Sequence, residues 1–310
     1  MYLNKSLFLK RGRALIDITD NLIPLPPTAV ALGFFDGLHL GHIQVVMETF
    51  DKKGLHSAMF TFHSDTALPK REKIENLLSN DMKLSLLDMA GVEYIYSPDF
   101  DTVRNYTGED FVTKILIKIM NARLVVYGFD FRLGAGADCD AAGFKKICEK
   151  HGIDVIIIPP FSSEGCIIHS TVIKNLIKNG DVEKANKLLG YEFSIYEEVI
   201  SGNRLGRTLG YPTINQIYPE NMVTPLFGAY KSITFIGDKA YHSITNIGVK
   251  PTVNYKNKPL AETHILGFEG DLYGQKIKVS LLSFIRPEKK FEDTEALKEQ
   301  LHKDKISAQQ

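Results

Sequence analysis

The feature that most constrains this chain is an apolar run that ends in a turn rich in glycine and histidine. Residues 28–35 are mostly apolar, and the segment from Gly33 to His42 reads Gly-Phe-Phe-Asp-Gly-Leu-His-Leu-Gly-His. The run predicts a buried parallel strand, and the spacing beyond it predicts a helix that begins near His39. The first N–H groups of such a helix are unbonded and favour phosphate binding. The segment therefore predicts an α/β fold with a phosphate-binding turn.

Two glycines and two histidines of this turn are the first candidate site residues. Gly37 and Gly41 carry no side chain that would keep a polyphosphate away from the backbone. His39 and His42 are three residues apart, so they share one helix face. Paired imidazoles at that position can neutralise charge on a phosphoryl group under attack, so we assign both histidines as catalytic candidates.

Apolar runs alternate with helical patterns over about the first 185 residues, which is typical of βαβ units and a doubly wound parallel sheet. The strands are predicted at residues 29–35, 57–62, 94–96, 124–127 and 155–158. The helices are predicted at residues 43–52, 76–89, 108–120, 142–150, 170–178 and 181–189. This half of the chain is therefore predicted to be a doubly wound α/β domain.

From Phe193 onward the pattern changes to short strands separated by glycine and proline. Strands are predicted at residues 230–236, 240–247, 262–268 and 276–284, and a helix at residues 291–305. Such strands favour a small antiparallel barrel with the helix laid against it. We place the domain boundary near Gly190, which gives domains of residues 1–189 and 190–310.

Composition excludes several classes of partner. Lys plus Arg equals Asp plus Glu at 37 each, so no basic field favours nucleic acid. No stretch of about 18 apolar residues and no signal-peptide pattern occurs, so we expect a cytoplasmic protein without a membrane partner. Cys139, Cys148 and Cys166 lack the Cys-x-x-Cys spacing of a zinc site and are expected to be free thiols.

The segment from Gly33 to His42 resembles the nucleotide-binding motif of the cytidylyltransferase-like superfamily, in the form that bacterial FAD synthetases carry. The resemblance implies that Gly33, Phe35 and Asp36, with the two glycines, bind ATP phosphates. Two further stretches resemble the same family. Residues 128–134 imply flavin binding by Gly128, Asp130 and Phe131, and residues 168–174 imply phosphate binding by Ser170, Thr171 and Lys174.

The C-terminal half resembles riboflavin kinases in four stretches, at residues 206–215, 246–252, 262–266 and 284–291. The resemblance implies that Gly206, Arg207, Gly210, Thr213 and Asn215 bind Mg-ATP, that Asn246 and Thr252 bind flavin, and that Glu262 is the catalytic base and contacts the flavin. The residues support the metal assignment independently. Thr213 and Asn215 project from the same face of an extended backbone and offer two hard oxygens suited to Mg²⁺.

Together the motifs resemble the bifunctional riboflavin kinase/FMN adenylyltransferase family over almost the whole chain. The resemblance implies a Rossmann-like nucleotidyltransferase domain followed by a six-stranded riboflavin kinase-like barrel with a terminal helix. It also implies two activities, phosphorylation of riboflavin to FMN and adenylylation of FMN to FAD with release of pyrophosphate. Riboflavin, FMN and ATP are the expected partners, Mg²⁺ is the expected cofactor, and a homo-oligomer is left open.

Three departures from the family pattern keep alternatives open. Ser64, Asp65 and Thr66 stand where the family has Pro-His-Pro, His169 replaces a serine, and Lys174 replaces an arginine. One alternative is a riboflavin kinase whose adenylyltransferase half is slow or vestigial. Another is a flavin- or ATP-binding regulatory protein without turnover. A third is an adenylyltransferase that acts on a different phosphorylated small molecule.

Overall fold

The computed structural model describes residues 14–63, 75–134, 139–163, 166–201, 211–249, 258–289 and 292–309. The chain divides into two compact units between Ser170 and Thr171. The first unit is an α/β structure and the second contains an antiparallel barrel, as the sequence predicts. The domain boundary at residues 189 and 190 stays a prediction.

The first unit is built on a six-stranded parallel sheet. In chain order its strands are β1 (Ile16–Asp17), β2 (Thr28–Leu32), β3 (His56–Phe60), β4 (Tyr94–Tyr96), β5 (Ala122–Gly128) and β8 (Asp154–Ile158). Their spatial order is β1-β4-β3-β2-β5-β8, so the order reverses between β2 and β5. In doubly wound sheets, ligands bind beyond the carboxyl ends of the strands at such a reversal.

Short helices cover the sheet and hold its loops. They are α1 (Leu40–Met47), α2 (Asn80–Ala90), α3 (Phe100–Val103), α4 (Gly108–Asp110) and α5 (Ala141–Lys150). Ser79 caps the start of α2, and Gly91 ends it in the left-handed conformation that glycine adopts without strain. Two short hairpins, β6 (Arg132–Leu133) with β7 (Cys139–Asp140) and β9 (Ser162–Ser163) with β10 (Cys166–Ile167), lie outside the main sheet.

The predicted helix at residues 108–120 differs in detail from the observed segment. Here α4 continues as a π-helical segment, Phe111–Ile117, rather than as a regular α-helix. The segment buries Phe111, Val112, Ile115 and Leu116. Phe111 and Ile115 are four residues apart, as are Val112 and Leu116, and residues at this spacing lie near one another in both helix types, so the apolar pattern does not distinguish them.

The second unit begins within α6 (Ser170–Lys178) at Thr171 and continues with α7 (Val182–Leu189), and its barrel has six antiparallel strands. The strands are β11 (Ser194–Glu198), β12 (Thr213–Ile217), β13 (Gly228–Ile236), β14 (Lys239–Val249), β15 (Pro259–Ile265) and β16 (Lys276–Pro287). Their spatial order is β11-β16-β13-β14-β15-β12. A bridge between Ile200 and Asn215 joins the two ends of this order, so the barrel is nearly closed.

A ladder of buried hydroxyl groups fixes the register of the barrel. Ser232 contacts both Ser243 and Thr245 at 2.8 Å, and Thr245 contacts Thr263 at 2.9 Å. All four side chains are fully buried. Slipping one strand by a residue would leave these groups buried without partners, which is costly. The ladder therefore holds β13, β14 and β15 in a single alignment.

The terminal helix, α8 (Thr294–Gln309), contacts β13 and β14. The Arg286 guanidinium donates from Nε and Nη2 to the Asp304 carboxylate, and the Nη2 to Oδ2 distance is 2.7 Å. Asp304 is only 1% exposed. This pair attaches α8 to β16, which agrees with the predicted helix against the barrel. Within the residues that the structure describes, no helix combines the length and the apolar character needed to cross a membrane.

Candidate active sites

The turn after β2 has an unusual backbone that the sequence alone explains only in part. Phe35 and Leu38 have φ angles of 50° and 39°, and Gly37 has a φ of 87°. A Cβ on Gly37 would lie 2.6 Å from Leu77 Cδ1, so this position requires glycine for space as well as for conformation. Asp36 Oδ1 accepts a hydrogen bond of 2.8 Å from Leu77 N, which holds the turn against the segment before α2.

The two histidines meet at the start of α1. His39 is the N-cap, and its Nδ1 accepts a hydrogen bond of 3.3 Å from His42 N. The two rings stack with centroids 3.6 Å apart and an angle of 15° between their planes. Because Nδ1 of His39 is an acceptor, its proton is on Nε2 when the ring is neutral. The helix therefore begins at Leu40 with His39 as its N-cap, close to the predicted start near His39.

Both histidines are held in the neutral form. Burial lowers the pKa of His39 to about 4, although Asp36 opposes the shift. The pKa of His42 lies well below its usual range because of burial first, and then because of the nearby His39, Lys83 and His169. At neutral pH the pair therefore acts as hydrogen-bonding imidazoles rather than as cations. We expected the two rings to neutralise phosphate charge, whereas the structure holds them neutral at the start of α1.

A cavity of about 460 Å³ lies beside this turn, where the strand order reverses. Gly33, Phe35, Asp36, Gly41 and both histidines line one part of it. The loop after β5 lines another part with Gly128, Asp130 and Phe131. Aromatic rings, among them Phe60, Phe62 and Phe111, make much of the wall apolar. The cavity therefore joins a polar turn to an aromatic surface. With Ser170 included, it brings together ten residues that the sequence predicts to be catalytic, ATP-binding or flavin-binding.

The start of α6 is attached to the turn as well. Ser170 Oγ donates a hydrogen bond of 2.9 Å to the Asp36 carbonyl, and both Ser170 and His169 line the cavity. Ser170 is the first residue of α6, as the predicted helix at residues 170–178 has it, and its hydroxyl is bonded to the turn. Thr171 and Lys174 lie in the first two turns of the same helix.

Lys83 is not among the predicted site residues, but the structure places it next to this site. Lys83 is 2% exposed and lies in α2. Its Nζ donates to the carbonyl oxygens of Phe62 and Phe34, at 3.3 and 3.5 Å. The sequence does carry a sign that Lys83 is buried. Its position along α2 places it on the same inward-facing stripe as Leu86, Leu87 and Ala90.

The second candidate site is a row of side chains across the barrel. The register pairs Asn215 of β12 with Glu262 of β15, and pairs Glu262 with Asn246 of β14. Directly opposite residues in adjacent strands have Cα atoms about 4.5–5.5 Å apart and project from the same face. An acidic side chain therefore lies between two amides, and Thr213 projects from the same face of β12 two residues before Asn215.

His264 holds the backbone just before Thr213. Its Nδ1 lies 2.8 Å from the Pro212 carbonyl, and since a carbonyl only accepts, Nδ1 carries the proton. Burial lowers the pKa of His264, which favours this neutral tautomer. A cavity of about 330 Å³ opens beside Pro212 and Thr213 and is lined also by Phe268 and Leu272. Thr213 thus lies at the rim of a second cavity, directly after the backbone segment that His264 holds.

Four predicted site residues, Gly206, Arg207, Gly210 and Thr252, lie outside the described residues. So do Ser64, Asp65 and Thr66, where the sequence departs from the family pattern. Thr213, Asn215, Asn246 and Glu262 are described, and the barrel brings them together as stated above.

The fold and the two sites define a class: a nucleotide-using transferase in which a nucleotidyltransferase-like α/β unit precedes a kinase-like barrel. A family model described as FAD synthetase matches residues 24–172, and one described as riboflavin kinase matches residues 189–310. The bifunctional riboflavin kinase/FMN adenylyltransferase of Escherichia coli (strain K12) is 30% identical over 300 residues, which is 93% of each chain. The enzyme of the same name from Bacillus subtilis (strain 168) is 32% identical over 291 residues, 91% of each chain. The chain therefore belongs to the bifunctional riboflavin kinase/FMN adenylyltransferase family.

A solved structure is similar over nearly the whole chain. It is described as a macrolide-efflux protein from Streptococcus pneumoniae, and it is 29% identical with a TM-score of 0.84. The similarity covers 95% of this chain and 98% of that one. Both units thus occur in one polypeptide in that protein also.

Proposed function

We propose that this chain makes FMN from riboflavin at the barrel and FAD from FMN in the α/β unit, with ATP as co-substrate of both reactions. The kinase proposal is supported most by the row of Asn215, Glu262 and Asn246, which sets one carboxylate between two amides on the face that carries Thr213. The adenylyl proposal is supported most by the cavity at the reversal of strand order.

In the kinase reaction, Glu262 accepts the proton of the terminal riboflavin hydroxyl as that oxygen attacks the γ-phosphorus of ATP, and ADP leaves. Positioning contributes most to such transfers, with a base assisting the nucleophile. Asn215 and Asn246 flank the carboxylate and can orient the substrate by hydrogen bonding. The His264 to Pro212 contact holds the backbone just before Thr213, which supports a role for this residue in placing the phosphates.

Mg²⁺ is the metal we propose for ATP at the barrel. The donor set fits it, because Thr213 and Asn215 offer two neutral hard oxygens on one face, and Mg²⁺ in nucleotide sites takes most of its other ligands from phosphates and water. When bound, Mg²⁺ would neutralise charge on the transferring phosphates.

In the adenylyl reaction, a phosphate oxygen of FMN attacks the α-phosphorus of ATP, and pyrophosphate leaves. The aromatic wall of the cavity suits the isoalloxazine ring of FMN, and the turn with its helix N-terminus suits the phosphates. Neutral His39 keeps an N–H at Nε2 that can donate to phosphate oxygen. Nδ1 of His42 is buried and makes no hydrogen bond within the part of the chain that the structure describes.

A time course with riboflavin and Mg-ATP tests both halves of the proposal. We expect FMN to form first and then to be converted to FAD, as followed by chromatography with fluorescence detection. A reaction that stops at FMN would refute the adenylyl assignment and favour a kinase with a vestigial α/β unit. Flavin binding without ATP consumption would refute both assignments and favour a regulatory protein. ATP-dependent adenylylation of another phosphorylated small molecule, but not of FMN, would favour the third alternative. The cytoplasmic location and any homo-oligomer stay predictions.

A further inference from the structure

Lys83 is a buried lysine that the reaction scheme above does not use. It is the fourth residue of α2, it is 2% exposed, and it occupies the inward stripe of the helix with Leu86 and Leu87. A buried ammonium is costly unless hydrogen bonds or charges compensate for the lost water. The groups around its Nζ therefore identify what the residue does.

The ammonium joins two loops that both line the α/β cavity. Its Nζ donates to Phe34 O, in the turn after β2, at 3.5 Å, and to Phe62 O, two residues beyond β3, at 3.3 Å. The same nitrogen lies 5.6 Å from the centroid of the Phe34 ring. Phe34 and Phe62 both line the cavity. One side chain thus ties the ends of two neighbouring strands at the edge where the candidate ligand site lies.

Lys83 also places a positive charge behind the turn. Burial lowers its pKa to about 8, and Asp36 opposes the shift, so the ammonium is mostly charged at neutral pH. Asp36 on the turn and His42 on α1 are the titratable groups coupled to it. The stacked histidines are neutral. The fixed charge behind the turn therefore comes from the lysine and not from the imidazoles.

We propose that Lys83 is a positioning residue of the adenylyl site, which holds the turn carrying Asp36 and His39 against the end of β3 and keeps a positive charge behind the phosphate-binding backbone. The inference rests on the proposed adenylyl transfer. Lys83 lies behind the turn, so it acts on the phosphates through the geometry and potential of the turn. Misplacing such a turn lowers the rate of the chemical step.

The test compares Lys83→Met with Lys145→Met, in full-length protein. Lys145 has a side chain 43% exposed and pairs only with Glu149 of its own helix among the ion pairs described, at 3.6 Å. We expect Lys83→Met to lower kcat for FAD formation from FMN by about 10- to 100-fold. Riboflavin phosphorylation by the same preparation should stay at the wild-type rate, and Lys145→Met should alter neither reaction. FAD formation by Lys83→Met at the wild-type rate would overturn the proposal.

The pH profile separates the charge from a merely structural role. In wild type and Lys145→Met, kcat/KM for FMN adenylylation should fall above about pH 8, as Lys83 in the free enzyme loses its proton. Lys83→Met should lack this alkaline limb. If the limb persists unchanged in Lys83→Met, the charge does not belong to Lys83 and that part of the proposal is wrong.

Hydrogen exchange tests the positioning role independently of activity. In Lys83→Met, amides of residues 33–39 and 61–63 should exchange faster, while those of β2 and β5 keep their protection. Unchanged exchange at residues 33–39 would overturn the proposal, and loss of protection in β2 and β5 would show a general requirement for folding instead. If wild type forms no FAD from FMN, the proposed adenylyl function fails, but the exchange result still decides whether Lys83 holds the turn.

Discussion

His39 illustrates how a residue at the candidate site links function to stability. The folded protein keeps this imidazole neutral until about pH 4, whereas the unfolded chain binds a proton near pH 6.5. The unfolded state therefore binds more protons between these values, so the free energy of unfolding falls as pH is lowered through this window. Above about pH 6.5 the ring is neutral in both states and contributes no pH dependence.

From this we expect the α/β unit to lose about 2 kcal/mol of stability through His39 between pH 7 and pH 5. The variant His39→Asn keeps an acceptor for the His42 N–H but cannot titrate, so its loss should be smaller by that amount. Hydrogen exchange of β2 and β5 amides at the two pH values measures the difference. His302→Asn, an exposed position on α8, is the control. Equal pH sensitivity in wild type and His39→Asn would contradict the assignment.

Individual residues also show what can and cannot be predicted from the sequence. The apolar run of residues 28–35 and the motif from Gly33 to His42 predict the strand, the turn and a helix that begins near His39, because apolar periodicity and glycine preferences are local. The neutral charge of the histidines could not be predicted, since it depends on burial by residues distant in sequence. Lys83 left a detectable signal, a lysine on an apolar stripe, but its partners are backbone carbonyls, which carry no sequence signature.

At the scale of elements, local sequence patterns predict where helices and strands lie, but they do not predict which residues of neighbouring strands pair. The helix at residues 170–178 was predicted with its observed bounds, since its apolar residues follow a regular helical spacing. β1 was missed because it is a two-residue edge strand with both residues exposed. The row of Asn215, Glu262 and Asn246 depends on register. The buried hydroxyl ladder fixes the register of Asn246 against Glu262, and the pairing of β12 with β15 aligns Asn215.

The attachment of α8 provides a prediction about an element. Asp304 is 1% exposed and accepts hydrogen bonds from two nitrogens of Arg286, so Asp304→Asn removes the negative charge that offsets this guanidinium. We expect Asp304→Asn to lower the free energy of unfolding of the barrel unit by about 3 kcal/mol. Urea unfolding followed by circular dichroism measures the change.

The matched control for α8 is Glu299→Gln on the same helix. Glu299 pairs with Lys303 at 2.7 Å, but the two side chains are 70% and 62% exposed. An exposed pair of this kind contributes little to stability, so Glu299→Gln should lower the free energy of unfolding far less than Asp304→Asn. Equal losses in the two variants would mean that the Arg286 to Asp304 pair contributes no more than a surface contact.

At the scale of the whole molecule, the two candidate sites belong to separate compact units of one chain. The proposed product of the barrel, FMN, is the proposed substrate of the α/β unit. If each site contains all of its own catalytic groups, a defect in one site leaves the other reaction intact. Variants can therefore separate the two activities.

We expect Glu262→Gln to lose riboflavin phosphorylation by about 100-fold or more while it still converts added FMN to FAD. His42→Ala should show the reverse pattern, with FMN accumulating from riboflavin. Separate assays of the two steps, with wild type as reference, measure both effects. Loss of both reactions in either variant would contradict independent sites, and an unchanged rate in either would remove that residue from the mechanism.

Mixing the two variants then tests how FMN passes between the sites. FMN made by His42→Ala can diffuse to Glu262→Gln, so an equimolar mixture should convert riboflavin to FAD although neither variant does so alone. The lag before FAD appears should shorten as the concentration of both proteins rises, because transfer through solution is bimolecular. A mixture that accumulates FMN without forming FAD, while Glu262→Gln alone still uses added FMN, would contradict transfer through free solution and require that FMN stay with the chain that made it.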